Sequence, residues 1–216
     1  AQGPVEVMLV AQELGRSLGG GAFVSSTVMA GQLLTRLGTA AQQQRWLPSL
    51  ANGALQAAVA LYDEGARYDW QRTRTQARRH AQGWLLNGRK SLVLHGDSAS
   101  TLVVTARTSG GQRDRDGIGV FLVPANAKGV HIKGYATQDN MRAADITFED
   151  VEVAKDAVLG DPAKGLALVE RVVDEARIAM CSEAVGAMEE SLKITVEYLK
   201  TRKQFGVAIG TFQALQ

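Results

Sequence analysis

Apolar residues along the chain change their spacing twice, and the two changes divide the sequence into three zones. Over residues 1–53 they recur at three- and four-residue intervals, with Val5, Met8, Leu9 and Leu14 as one set and 23–37 holding another. That spacing puts them on one face of a helix. Pro4 suits a first-turn position, the run Gly19-Gly20-Gly21 ends the first helix, and Gly38 closes the second. Thr39, with Gln42 three residues on, makes a capping box for a short third helix carrying Trp46 and Leu47. From Ala54 onward short runs of Val, Leu, Ile and Thr take over, punctuated by the turn signals Asn87-Gly88, Gly110-Gly111 and Asp116-Gly117. Seven strands are expected, at 57–62, 73–79, 84–93, 101–107, 119–123, 130–135 and 146–153. After Asp161-Pro162 the helical spacing returns over 166–202; Gly206 stops it and Thr211 caps a further helix.

The fold class is therefore α+β: a helical N-terminal part (1–53), a central antiparallel β-barrel or sandwich (54–160), and a helical C-terminal part (161–216). The first residues already read as helix, and a final helix of about five residues is not stable alone. Both ends therefore read as cut.

Composition narrows the function classes. A formal net charge of +2 is too small for a phosphate track, and the one basic cluster, Arg78, Arg79 and His80, suits a solvated strand edge. No nucleic-acid partner is expected. The longest apolar runs, such as 54–62, are too short to span a bilayer, and the opening residues lack the basic start of a signal peptide. Cys181 is the only cysteine, which excludes an internal disulfide and multi-cysteine metal sites and points to a reducing, cytoplasmic compartment. His80, His95 and His131 lack ligand spacing, so no metal is expected.

Four segments carry a resemblance. GTAAQQQRWLPSLANG (38–53), WLLNGRKSLVLHG (84–96), ITFEDVEV (146–153) and EYLKTRKQFGVAIGTFQALQ (197–216) follow one another along the chain. They resemble, in order, four stretches of the acyl-CoA dehydrogenase family: the end of its N-terminal helical domain, its NGxKxWIT hairpin, the strand closing its β-domain, and its RxQFG signature. The resemblance implies FAD-dependent oxidation of an acyl-CoA thioester, in which a carboxylate takes the α-proton and the flavin N5 takes the β-hydride. It also implies fatty acid metabolism, an electron-transfer flavoprotein as acceptor, and a tetramer built as a dimer of dimers, homo- or hetero-oligomeric. By the same resemblance Arg202, Gln204, Phe205 and Gln213 bind the ADP half of an FAD held mainly by a neighbouring subunit. Their chemistry agrees: Arg202 offers a planar fork to a pyrophosphate, Phe205 an aromatic surface, and Gln213 the exposed first turn of a helix. Without the motif, a surface arginine, a core phenylalanine and a solvated glutamine is the plainer reading.

The same family pattern is broken around the flavin. Its loop T-E-P-G-A-G-S-D aligns with 62–69, where Tyr62 and Tyr68 replace the two hydroxyl residues, Glu64 the proline and Arg67 the second glycine. The W-I-T contact becomes Leu92-Val93-Leu94, and the loop Arg142-Ala143-Ala144-Asp145 is short and lacks its serine. Tyr62, Tyr68, Leu92, Val93 and Leu94 are thus the cofactor-binding candidates of an altered pocket. Such clustering resembles the small subunit of heteromeric, pimeloyl-CoA-type dehydrogenases, which implies a partner chain and leaves a non-catalytic or flavin-sharing role open; an acyl-CoA oxidase is a further alternative. For the base, the D-x-x-R context of some branches becomes Asp174-Glu175-Ala176-Arg177, with Ala176 at the relevant position. Glu175 is rotated by about 100° to another face. No catalytic residue is assigned, and the base is expected beyond Gln216. Arg177 is a substrate-binding candidate near the thioester, or an ion-pair partner of Asp174.

Overall fold

A computed structural model describes residues 3–19, 21–81 and 83–216. Pro4 opens α1 (Pro4–Arg16) as expected, while Ser17 caps its end; Gly20 lies outside the described residues, as do the first two residues of the chain. The second helical stretch is not one regular α-helix. Phe23–Ala30 is π-helical and runs into α2 (Gly31–Leu37). Ser26 is buried in the wider turn, and its hydroxyl accepts the amide of Ala57 at 3.0 Å, satisfying a donor at a strand end. α3 (Ala40–Ala51) begins with the expected capping box: Thr39 Oγ1 accepts the Gln42 amide and Gln42 Oε1 accepts that of Thr39. The Gln42 side-chain amide also donates to the carbonyls of Asp156 and Val158, at 2.7 and 2.9 Å. Thr39→Ala is expected to cost about 1 kcal/mol in a denaturant titration.

All seven expected strands form: β1 (Ala57–Ala60), β2 (Gln76–His80), β3 (Gly83–Leu94), β4 (Thr101–Arg107), β5 (Ile118–Pro124), β6 (Val130–Ala136) and β7 (Arg142–Ala154). A two-residue β8 (Val158–Leu159), too short to show a period, joins them. The sheet order is β6-β7-β3-β2-β4-β5-β8, with β1 also on β4. Three expectations need correction. The order ends at β6 and β8 without a ladder between them, so the barrel is not closed, and β1 and β2 run parallel to β4, so the sheet is mixed. Asn87-Gly88 makes no turn: β3 runs through it opposite a bulge of β7 at Glu149 and Asp150, and a Cβ at Gly88 would come within 2.6 Å of Thr75 Cα. Arg142-Ala143-Ala144-Asp145 is no loop either, being the start of β7.

Strand alternation distributes the core. Leu102, Val104 and Ala106 of β4 join Trp84, Leu86, Phe121 and Phe148 in one cluster, while Val103 faces a second cluster with Leu33, Leu34, Val169 and Val172 from helices. Trp84 and Phe121 meet edge to face at 5.5 Å, which brings β3 over β5. Beyond Gln76, β2 has no pairing to β4, so Arg78, Arg79 and His80 are exposed as the charge pattern suggested.

Gly21–Ala176 form one compact unit, and α1 with Arg177–Gln216 form another. The long helix α4 (Leu166–Thr201) supplies residues to both. In the smaller unit α1 and α4 meet backbone to backbone at Gly15 and Gly186. Arg16 hydrogen-bonds Glu189, and that bond, aided by Gln12, holds the Glu189 carboxyl below its usual range. A depressed carboxylate stabilises above its unfolded pKa and loses that contribution as pH falls through the folded value. Glu189→Gln is accordingly expected to remove part of the acid sensitivity of this unit, read by circular dichroism against pH. Among the described residues no helix is long and apolar enough to cross a membrane, and no metal-binding cluster occurs.

Candidate functional site

The larger unit carries one set of candidates around an irregularity in β3. The ladder to β7 slips between Lys90 and Val93, and Leu92 takes a left-handed backbone, φ +51°. A branched residue there is strained by about 1 kcal/mol or more. The slip breaks the in–out alternation: Lys90 and Val93 point inward, and Leu92 and Leu94, each 41% exposed, point outward. The side chain of Val93 is thus withdrawn from the surface where the sequence placed it as a contact, and only its backbone could serve a ligand. The Leu92 amide donates to Asp145 Oδ1 at 3.4 Å, which also accepts from the Tyr135 hydroxyl at 3.4 Å. Burial and the neighbouring Asp145 carboxylate push the Tyr135 hydroxyl above its usual pKa. Arg89 reaches Asp145 at 3.7 Å and Glu64 at 3.1 Å.

The loop after β1 lies directly on this strand. Tyr62 O accepts the Ser91 amide at 2.8 Å, and the Glu64 amide donates to Arg89 O at 3.3 Å. Tyr62 packs against the helix-facing core and meets Tyr68, which is 78% exposed, edge to face at 6.2 Å. Gly65 and Arg67 both have positive φ, +73° and +53°. The left-handed turn expected of a glycine is therefore kept by an arginine.

Sequence reasoning missed the group beneath the loop. Lys90 and Asp63 are fully buried, with Nζ 3.3 Å from Oδ1. Asp63 accepts the amides of Arg74 (2.7 Å) and Thr75 (3.3 Å) and the Thr75 hydroxyl. Lys90 also donates to Leu61 O at 3.2 Å and Thr105 Oγ1 at 3.1 Å. Burial drives the Lys90 ammonium below its usual pKa, and Asp63 opposes that fall. The signal was present: Lys90 shares the inward parity of Trp84 and Leu86.

The other set lies in the smaller unit. The long helix ends at Thr201, one residue short of the expected 202, and Gly206 is not its stop but part of the turn that follows. Lys203–Gln204 and Val207–Ala208 pair as β9 and β10 across a two-residue turn. Phe205 and Gly206 both have positive φ, +55° and +85°, the requirement of a type I′ turn. Phe205 is 93% exposed at the tip, touching only the edge of Phe212 at 6.2 Å among the ring contacts. Arg202 and Gln204 are exposed beside it. Thr211 caps no helix; it ends one 3₁₀ turn, Ile209–Thr211, and Gln213 opens another, Gln213–Leu215. Arg177 is exposed on α4. Glu175 is ion-paired with Arg36 at 2.7 Å and Arg171 at 3.5 Å, and Ala176 is buried. No carboxylate is presented there.

Profiles of one protein family match along the chain. Those described as the acyl-CoA dehydrogenase N-terminal, middle and C-terminal domains match residues 1–54, 58–151 and 163–216. The chain belongs to the acyl-CoA dehydrogenase family. It is 31% identical to the mouse short-chain specific acyl-CoA dehydrogenase over 196 residues, 89% of this chain and 47% of that protein. It is 30% identical to the probable acyl-CoA dehydrogenase YngJ of Bacillus subtilis, over 98% of this chain and 57% of that one. A glutaryl-CoA dehydrogenase from Mycobacterium smegmatis, solved with FADH2, superimposes with a TM-score of 0.90 at 26% identity, over 99% of this chain and 55% of its own. The chain thus spans about half the length of the acyl-CoA dehydrogenases it matches.

Proposed function

We propose that this acyl-CoA dehydrogenase chain belongs to an enzyme that oxidises the Cα–Cβ bond of an acyl-CoA thioester with bound FAD. The match of all three domains in order carries the reading. The residues present fit the cofactor: Leu92 and Leu94 turn an apolar surface outward at a strained bulge, as a flat ring needs, and Arg202 offers a charged fork beside an exposed aromatic. When bound, FAD supplies the hydride acceptor. In the larger unit Leu92 and Leu94 lie against the flavin ring, and Tyr62 and Tyr68 stand where its hydroxyl donors would be. In the smaller unit Arg202, Gln204, Phe205 and Gln213 hold the ADP half of a neighbour's FAD. Arg177 serves the thioester. The base that removes the α-proton comes from outside these residues, since Glu175 is held by two arginines.

The assembly proposed is a dimer of dimers in the cytoplasm, acting in fatty acid metabolism and passing electrons to an electron-transfer flavoprotein; peroxide formed in air instead would mark an oxidase. Arg202→Ala is expected to weaken FAD binding by about 1.5–3 kcal/mol, the range for a charge-assisted bond. Flavin fluorescence titration measures it, and an unchanged Kd removes Arg202 from the site.

A second reading has its own support. Two tyrosines and a left-handed Arg67 occupy the loop where small residues are the family habit, which favours a flavin-sharing subunit of a heteromer. Counting flavins per chain, alone and with a co-purified second chain, separates the two. One flavin per copy of this chain alone excludes sharing.

A further inference from the structure

A buried ion pair is a poor way to add stability. Removing two charges from water costs several kcal/mol per ion, and packed apolar side chains of the same volume often do as well or better. What an ion pair adds is a fixed geometry. Lys90 and Asp63 have full sets of partners, and those partners lie in four separate segments: Leu61 at the end of β1, Arg74 and Thr75 ahead of β2, β3 itself, and Thr105 in β4. Asp63 and Lys90 also form a single antiparallel bridge, so the pair sits where the loop touches β3. At the far end of the loop the buried Arg107 guanidinium donates to Gln71 O at 3.2 Å, and to the carbonyls of Asp114 and Asp116 at 2.9 and 2.8 Å. Thr73 ties in beside it, donating to Gln112 O at 3.1 Å.

We propose that the Lys90–Asp63 pair is a positioning clamp that, with Arg107 at the other end, fixes loop 62–73 against the β3 bulge and so sets Tyr62 and Leu92 for the ligand. The loop carries Tyr62, Tyr68 and a left-handed Arg67 without losing its attachment, because the attachment runs through these buried charges and not through the replaced side chains. Neither Lys90 nor Asp63 reaches the surface, so neither touches the ligand. That the ligand is FAD rests on the function proposed above; the clamp does not.

The double variant Asp63→Leu/Lys90→Met, in the whole protein, tests it. Global stability by urea unfolding is expected to fall less than in either single variant, because no charge is left unpaired although the buried Thr75 amide loses its acceptor. Amide hydrogen exchange at Glu64, Thr73 and Ser91, none of which bonds to the Asp63 carboxylate, is expected to quicken by about tenfold or more through local opening. FAD affinity is expected to fall about tenfold with it. A merely structural role predicts the opposite: once stability is matched, exchange at those amides and FAD affinity both stay at wild-type levels, and that result overturns the clamp. If wild type binds no FAD, the flavin reading fails while the exchange data still decide the clamp. Should the double variant not fold, Asp63→Asn removes the charge and keeps the volume and one acceptor oxygen, enough for the amide of Arg74 or of Thr75 but not both. Opening of the three amides ahead of global unfolding then supports the clamp, and their protection up to the global limit overturns it.

Discussion

Lys90→Met alone lowers the free energy of unfolding by about 3–5 kcal/mol, the usual cost of stranding one member of a buried ion pair. The methionine fills most of the lysine's volume, so little of this loss comes from a cavity. It comes from Asp63, which keeps the amides of Arg74 and Thr75 but is left as a buried carboxylate without its ion-pair partner. Domains of this size have total stabilities of about 5–15 kcal/mol, so the variant should unfold at far lower denaturant. The Lys90 ammonium is itself pushed down by burial, so the sign can be checked: a lysine with a depressed folded pKa takes up more protons unfolded, and stability from this group rises with pH up to its ordinary value. Urea midpoints at two alkaline pH values test both statements. A loss below about 1 kcal/mol would mean that the amine is solvated rather than buried.

Gly186→Leu is the second large effect. A Cβ at Gly186 would lie 1.9 Å from the Gln12 carbonyl oxygen, and one at Gly15 would lie 1.9 Å from that of Glu183. Both close contacts are to backbone, which has no rotamer to change. α1 must therefore move away from α4, or part from it. Overpacking typically costs about 1–3 kcal/mol, and more where backbone is the obstacle. It also breaks the bond from Arg16 to Glu189 one turn on. Limited proteolysis or hydrogen exchange across α1 should show it released while amides of β3 to β5 keep their protection. Equal loss in both would contradict a contact confined to α1 and α4.

The elements were legible because each long stretch repeats its own period: seven strands and four helical stretches stand where apolar spacing put them. What failed depended on something other than period. Closure of the sheet is decided by whether its two edge strands meet, and nothing in β6 or β8 states that. Gly206 was read as a helix stop, yet it completes a turn whose other residue, Phe205, is no turn former. β8, β9 and β10 are two residues each and have no period to show. At the site, the alternation that places Lys90 inward is broken three residues later by the bulge. Val93 was therefore read as a contact and Lys90 was not, although parity from Trp84 and Leu86 gave the lysine away. Asp63 could be named only as part of a loop; its pairing with Lys90 is a fact of topology.

The most direct test is to purify the whole protein, with any chain that co-purifies, and add acyl-CoA thioesters of different chain length with oxygen excluded. Flavin-dependent oxidation of an acyl-CoA predicts bound FAD whose visible absorbance bleaches with at least one of them. Protein that carries no flavin in either form, or flavin that no acyl-CoA reduces, would contradict it.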